Sequence, residues 1–527
     1  MNALDFIVIA VYIIGFLWLG FYFREQKDGT SYFLGSKSFG WFPLSMSTIA
    51  TQLSAISFIS APAFVGMKQG GGMMWLSYEL AVPLAMVFLM IFLIPPLYKS
   101  GIVSVYEYLE RRFDTSTRVL LSIVFQFSRA FATGIMIYTV ALILSGVLEI
   151  EMWMTILVIG VITLVYSLLG GMKAVVYGDM IQMIILMLGI VICMFYSLSE
   201  IGGWSAFLDK VDTARLTAID FSSWGFQEGE AFGFWPMLLG GFFLYVSYYG
   251  TDQSQVQRLF SASSLKTVKM TLLCNGLIRF PITLAYCIMG LVVGTYALTD
   301  VQFADLIPAD KSDLMLPIFI RDYLPHGIIG LLIVAILSAA MSSLSSAINS
   351  LSAAFVEDVA KKTMPVEEKN YVWYSKCASL GWGIVCIVLA FFSGDIADTV
   401  IEAINKIGSV FYGPILATFI LAIGVKRVGA LAANVGLLSG VAFNIYLWQF
   451  VPDVFWFWWN AIGAIVTFLV AYIVSLMVAN TKVVEKQEIT VGSIYLDGAS
   501  KKYAVILGIF FLIIVGVCTQ IPSILGG

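Results

Sequence analysis

Residues 331–355 form an apolar run that carries a row of small polar side chains. At helical spacing Ser338, Ser342, Ser345, Asn349 and Ser352 fall on one face. The segment Ser342-Ser343-Leu344-Ser345-Ser346 places four hydroxyls within five residues. Hydroxyls and an amide do not favour lipid, but they can line a polar path or replace the water around a small cation. Hard cations take oxygen ligands, and for Na+ about five or six suffice. One serine pair would read as helix–helix packing, where small residues are common. Four hydroxyls with Asn349 one turn on are more than packing asks for.

Six ionisable residues stand out within apolar runs: Glu79, Arg129, Asp179, Arg279, Glu402 and Lys406. A charge inside a bilayer is costly, so such residues are paired or functional. Glu402 and Lys406, four apart, can pair on one helix. Asp179 is a lone carboxylate and needs a cation; the serine row can complete an oxygen shell around one. The six cysteines have no paired spacing and read as buried small hydrophobes. The only histidine, His326, lies in a loop and reads as a surface residue. No metal-ligand cluster and no nucleophile with a base points to an enzyme.

The elements that position these residues follow from composition. Of 527 residues, 60% are hydrophobic and 12% charged, against about 45–50% and about 25% in soluble domains. Mean hydropathy is +0.93. These values imply an all-α polytopic membrane protein. Fourteen runs reach the length of about 20 residues that a membrane helix needs: 5–23, 41–67, 73–98, 117–148, 152–170, 174–197, 232–256, 268–297, 326–355, 371–394, 399–424, 429–450, 455–479 and 503–523. They are too long and too evenly apolar for barrel strands. With both termini outside, twenty-one of the 29 basic residues fall on the inner side, five outside and three within spans. The net charge of −4 adds little, and no basic tract points to nucleic acid. The first run lacks a basic leader and a cleavage site, so it reads as a retained span. A short interfacial helix is expected near Asp313, a polar inner loop at 480–502, and an aromatic interface belt at Phe455-Trp456-Phe457-Trp458-Trp459.

Two runs are poor lipid-facing helices. The second, 41–67, is dense in hydroxyls and carries Pro62; the seventh, 232–256, contains Gly250-Thr-Asp-Gln-Ser. Both are expected to break at mid-membrane. Their separation by five spans is what a five-plus-five inverted repeat predicts, with an interrupted helix opening each half. Carbonyls freed at such breaks can coordinate ions, and irregular backbone at this depth must be buried or line a cavity.

The chain resembles the sodium:solute symporter family from about Asp28 to the last spans. The motifs are Ser31-Tyr-Phe-Leu-Gly-Ser-Lys-Ser, Val105-Tyr-Glu-Tyr-Leu-Glu-Arg-Arg-Phe, Leu169-Gly-Gly-Met-Lys-Ala-Val-Val-Tyr-Gly-Asp179-Met-Ile-Gln, Gln255-Val-Gln-Arg258 and Ala339-Ala-Met-Ser-Ser-Leu-Ser-Ser-Ala-Ile-Asn-Ser350. The resemblance implies one LeuT-like transporter domain over 1–527. Its repeats would span about 41–197 and 232–424, with peripheral helices 5–23, 429–450, 455–479 and 503–523. It also implies a main Na+ site from the carbonyls of Ala50, Leu53 and Ala339 and the hydroxyls of Ser342 and Ser343. A second site, as in a bacterial sialic acid transporter, would use Asp179, Ser342, Ser345 and Ser346. Solute-binding positions fall on or beside Gln52, Ser54, Ser57, Glu79, Arg129, Tyr248, Arg279, Asn405 and Lys406. Glu79, Arg279, Asn405 and Tyr248 match positions of a sodium–galactose site, although Ser57 replaces its glutamine. Arg129 lies near an arginine that holds a carboxylate.

The expectation is therefore a Na+-coupled symporter with one or two coupling ions and no organic cofactor. It would work by alternating access in a plasma or bacterial inner membrane, with no obligatory protein partner. Three cations against one or two carboxylates favour a carboxylate-bearing solute, such as sialic acid or a smaller organic acid. A sugar or polyol is the alternative, and a proton-coupled carrier or a channel are the rival classes.

Overall fold

A computed structural model describes residues 1–526 except 27, 54, 228, 309–310, 364–366, 368–369, 394–399 and 479–494; at 55–56 and 400–405 it describes the backbone alone. Among the described residues the secondary structure is helical, with a single isolated bridge between Phe39 and Ala262. The membrane-scale elements are α1 (Ala3–Tyr22), the pair α2 (Trp41–Gln52) and α3 (Ala55–Gly66), α4 (Met73–Lys99), α5 (Thr115–Leu148) and α6 (Met152–Ile201). The pair α7 (Gly241–Thr251) and α8 (Gln253–Phe260) follows, then α9 (Leu265–Thr299), the short α10 (Met315–Tyr323) and α11 (Ile328–Thr363). The remaining helices are α12 (Tyr371–Phe391), α13 (Val400–Gly424), α14 (Ala430–Phe450), α15 (Phe457–Met477) and α16 (Gly498–Leu525). Eleven helices among the described residues are long and apolar enough to cross a membrane, or twelve if α2 and α3 form one bent span.

The runs expected at 152–170 and 174–197 form one continuous element, α6, of 50 residues. A straight helix of that length would extend about 75 Å, more than twice the hydrocarbon thickness. Gly171 relieves this by leaving helical geometry at φ 54°, ψ −149°. A side chain there would strike the Tyr32 carbonyl at 2.8 Å. The seventh run is also interrupted, because α7 stops at Thr251 and α8 starts at Gln253.

The serine-bearing helix α11 is the centre of the bundle. In its most apolar window 89% of residues are buried, against 22% in α1 and in α16. That burial explains how a polar row survives in an apolar run: the row faces protein, not lipid. The broken pair is held by close backbone approach, since a Cβ on Gly290 of α9 would lie 2.6 Å from Pro62 Cα of α3.

The expectation for the aromatic segment changes. In the aromatic segment at 455–459, Trp456, Phe457 and Trp459 are buried. Phe457 packs edge-on against Tyr78 at 5.1 Å between centroids, so these rings cap the bundle interior instead of forming a lipid-facing belt. His326 is exposed, as expected, and its Nδ1 lies 3.2 Å from the buried Asp5 carboxylate. Asp5 also accepts from the Gly327 and Gly330 amides and so fastens α1 to the start of α11. The short helix near Asp313 is present as α10, most of the loop expected at 480–502 falls outside the described residues, and Cys377 is exposed.

Candidate functional site

The site forms where α11 meets the α2–α3 break. The chain leaves helical geometry at Leu53 (φ −78°, ψ 89°), and the two segments are bent by 58°. Ser342 Oγ lies 3.2 Å from the Ala50 carbonyl across the interface and 3.2 Å from the Ala339 carbonyl on its own helix. The adjacent Ser343 hydroxyl is buried and makes no hydrogen bond. A buried hydroxyl without a partner costs about 1–3 kcal/mol. The set is neutral oxygen only, which suits a hard monovalent cation.

A second cluster lies behind it. Asp179 Oδ2 accepts from Ser47 Oγ at 2.5 Å and from Arg258 Nη2 at 2.9 Å. Arg258 also donates through Nε to Ser47 Oγ at 2.8 Å, and through Nη2 to Ser346 Oγ. Ser345 and Ser346 both return their protons to the Ser342 carbonyl, at 3.0 and 2.6 Å. Of the four residues expected for a second ion, Asp179 and Ser346 are brought together through Arg258, so the cation on Asp179 is a guanidinium. Asp179 Oδ1 alone remains without a partner. Arg258, two residues past the run at 232–256, is fully buried on α8.

Between α4, α5, α7 and α9 lies a cavity of about 180 Å³. Its wall includes Gln52, Ser57, Glu79, Arg129, Tyr248 and Arg279, together with Ser343. Glu79 accepts Arg279 bidentately, Nε at 3.1 Å and Nη2 at 2.6 Å, and takes Thr283 Oγ1 at 3.0 Å. Arg279 Nη1 is buried without a hydrogen bond. Arg129 Nη2 donates to Ser254 Oγ at 2.6 Å, its Nη1 stands 3.8 Å from Asp252 Oδ2, and its Nε has no partner. The guanidinium carbon lies 5.9 Å from the Tyr248 ring centre. Tyr249 donates to Gln52 Oε1.

Lys406 does not line this cavity; Ser54 and the side chains of Glu402 and Asn405 fall outside the described residues. Thr51, Trp75, Tyr245, Tyr286 and Tyr412 also line the cavity and were not anticipated. Asp252 was missed as well, although an Asp two residues before Ser254 inside an apolar run is a helix-cap signal. It caps α8 through the Ser254 amide at 2.8 Å. With Asp252 and Arg258 counted, Arg279, Arg129 and Arg258 each face one carboxylate. Of the three cations behind the expected excess of positive charge, Arg129 and Arg279 are balanced in this way and Lys406 does not line the cavity, so the excess is absent there.

A model of the sodium:solute symporter family matches residues 32–440. The sodium-coupled monocarboxylate transporter 1 of Xenopus laevis is 30% identical over 454 residues, 84% of this chain and 71% of that protein. The sodium/iodide cotransporter of Homo sapiens is 28% identical over 435 residues, 82% and 67% of the two chains. Among solved structures, a substrate-bound, outward-open Na+-coupled sialic acid symporter matches with a TM-score of 0.81 at 26% identity, covering 91% of this chain and 98% of that one. A nucleobase–cation symporter in a closed conformation shares the fold, at a TM-score of 0.54 and 11% identity over 90% and 97% of the chains.

Proposed function

The chain belongs to the sodium:solute symporter family and is a membrane-embedded, Na+-coupled solute symporter; from that premise we propose that its solute is a small organic anion. One observation carries the reading: Arg129 and Arg279 both line the cavity, and each keeps a guanidinium nitrogen without a partner. Carboxylates of the protein already balance their charge, so net positive charge does not select the solute. The spare N–H groups do, because the oxygens of an anion can each accept a charge-assisted hydrogen bond from them. The relatives named for monocarboxylates, iodide and sialic acid also point to anions. The sugar alternative is weakened because Glu79, its acceptor for hydroxyls, is already engaged by Arg279 and Thr283.

The main Na+ site in this reading is formed by the carbonyls of Ala50, Leu53 and Ala339 and the hydroxyls of Ser342 and Ser343. An ion there draws α11 toward the α2–α3 break, and Ser343 belongs at once to this oxygen set and to the cavity wall. Ion binding thereby shapes the solute pocket. A second ion at Asp179, Ser342, Ser345 and Ser346 would use Asp179 Oδ1, which is free to accept while Arg258 keeps Oδ2. The fourteen-span topology counts α6 as two spans divided at Gly171 and α7–α8 as one interrupted span. The breaks at α2–α3 and α7–α8 then open the two inverted repeats. Both termini face outside in a plasma or bacterial inner membrane.

The test is thermal unfolding of the purified protein with pyruvate, sialic acid, iodide or glucose, each in Na+ and in choline. A ligand at one hundred times its Kd adds about 2.7 kcal/mol. Stabilisation beyond that of Na+ alone is expected only when an anion and Na+ are present together. Stabilisation by glucose with none by the anions refutes the reading.

A further inference from the structure

Arg129 borders two cavities. The larger one is described above; a smaller one of about 60 Å³ is lined by Tyr106, Thr251, Asp252 and Phe411 among others, and the two share Arg129, Ala132 and Tyr412. Asp252 stands in the single-residue gap between α7 and α8, with an extended backbone at φ −78°, ψ 122°. Its Oδ1 accepts from Ser254 Oγ at 2.5 Å, and the same hydroxyl accepts Arg129 Nη2 at 2.6 Å. The direct contact between Asp252 Oδ2 and Arg129 Nη1, at 3.8 Å, is an ion pair too long for a hydrogen bond. Asp252 therefore holds Arg129 through one serine hydroxyl and a loose charge contact. The Glu79–Arg279 pair, by contrast, is closed by two direct bonds.

We propose that Asp252 is a built-in rival for the solute's carboxylate: it neutralises Arg129 while the larger cavity is free of solute and is displaced from it by the incoming anion. The inference rests on the anionic-solute reading above. In both states Arg129 faces one carboxylate, so the exchange strands no buried positive charge. The released Asp252 carboxylate lines the smaller cavity, and a water needs only about 10–15 Å³ of such space, so it can be hydrated there. Because Asp252 is the residue at which α7 gives way to α8, its release from Arg129 acts on that break. Solute binding is thereby tied to the interrupted helix.

Asp252→Asn tests this. The amide keeps an Oδ1 that can cap α8, but it removes the competing charge. Binding of pyruvate in Na+ buffer is measured by thermal shift, and uptake is measured in proteoliposomes. The half-saturating pyruvate concentration is expected to fall by about three- to tenfold, the effect of losing a modest ion pair, while maximal uptake drops. Ser254→Ala, which removes the bridging hydroxyl and keeps the charge, shifts affinity in the same direction by less, and it carries the test should Asp252→Asn fail to fold. Wild-type binding of pyruvate with unchanged or weaker binding by the variant that folds overturns this inference alone. Absence of any binding of pyruvate, sialic acid or iodide to the wild type overturns the anionic reading and this inference with it.

Discussion

Ser343→Ala should separate ion binding from stability, because Ser343 and Ser342 stand differently in the fold. The Ser343 hydroxyl is buried and unpartnered, so deleting it removes no hydrogen bond. It also relieves a desolvation cost of about 1–3 kcal/mol. In Na+-free buffer the variant should unfold at or above the wild-type temperature. With Na+ present it loses a charge-assisted oxygen contact worth about 1.5–3 kcal/mol. At about 1.4 kcal/mol per tenfold, the Na+ concentration giving half-maximal stabilisation should rise roughly 10- to 100-fold. Ser342→Ala differs in sign on the first count. Its hydroxyl reaches the Ala50 and Ala339 carbonyls, so that variant should lose stability without Na+ as well. The assay is thermal unfolding across a Na+ titration, with choline holding ionic strength constant, paired with Na+-dependent uptake in proteoliposomes. A wild-type Na+ curve for Ser343→Ala, or destabilisation of that variant in Na+-free buffer, refutes the reasoning.

Ser345→Ala should lower the Hill slope of Na+-dependent uptake toward one if a second ion is carried; a slope of one in both proteins limits the cycle to a single ion. Glu79→Ala leaves the buried Arg279 guanidinium unpaired and should cost about 3–5 kcal/mol, read as a large fall in unfolding temperature; replacing both residues with Met should recover much of it. At Glu110 burial raises the carboxyl pKa, but bonds from Lys362, Thr115 and Arg118 outweigh it and hold the group at about 2, below its ordinary 4.5. A depressed carboxyl stabilises fully above its ordinary value and loses that contribution as pH falls through its folded value. The stability gap between wild type and Glu110→Gln should therefore be constant from about pH 7 to 5 and shrink toward pH 3, and a gap that widens on acidification contradicts the assignment.

The parts of this protein that were legible in the sequence are those where chemistry and local spacing coincide. The serine row is visible because hydroxyls are out of place in an apolar run, and each helical neighbour lies three or four positions away. The breaks at Leu53 and Asp252 are visible because hydroxyls, glycine and proline interrupt apolar runs at those places. Pairing was not legible. Glu79 and Arg279 are 200 positions apart, and Asp179 and Arg258 are 79 apart, so no periodicity joins them. Arg258 lies two residues past an apolar run, and nothing in its local spacing shows that its side chain turns back into the bundle to meet Asp179. The aromatic segment at 455–459 misled for a related reason: an interface belt and a buried cap have the same composition, and only the packing of Phe457 on Tyr78 distinguishes them.

Arg129, Arg258 and Arg279 differ in how tightly a carboxylate holds them, and the order is informative. Arg279 is gripped by Glu79 through two direct bonds and Arg258 by Asp179 through one at 2.9 Å, whereas Arg129 stands 3.8 Å from Asp252. A buried ion pair closed by short bonds resists separation, because opening it exposes two uncompensated charges to a poorly solvating interior. The first two pairs therefore suit residues that fasten helices, α4 to α9 and α6 to α8. The third, lying beside two cavities and at a helix break, has the least to lose on exchanging its partner. That gradient, more than the count of positive charges, is what singles out Arg129 as the group a carboxylate-bearing solute would engage.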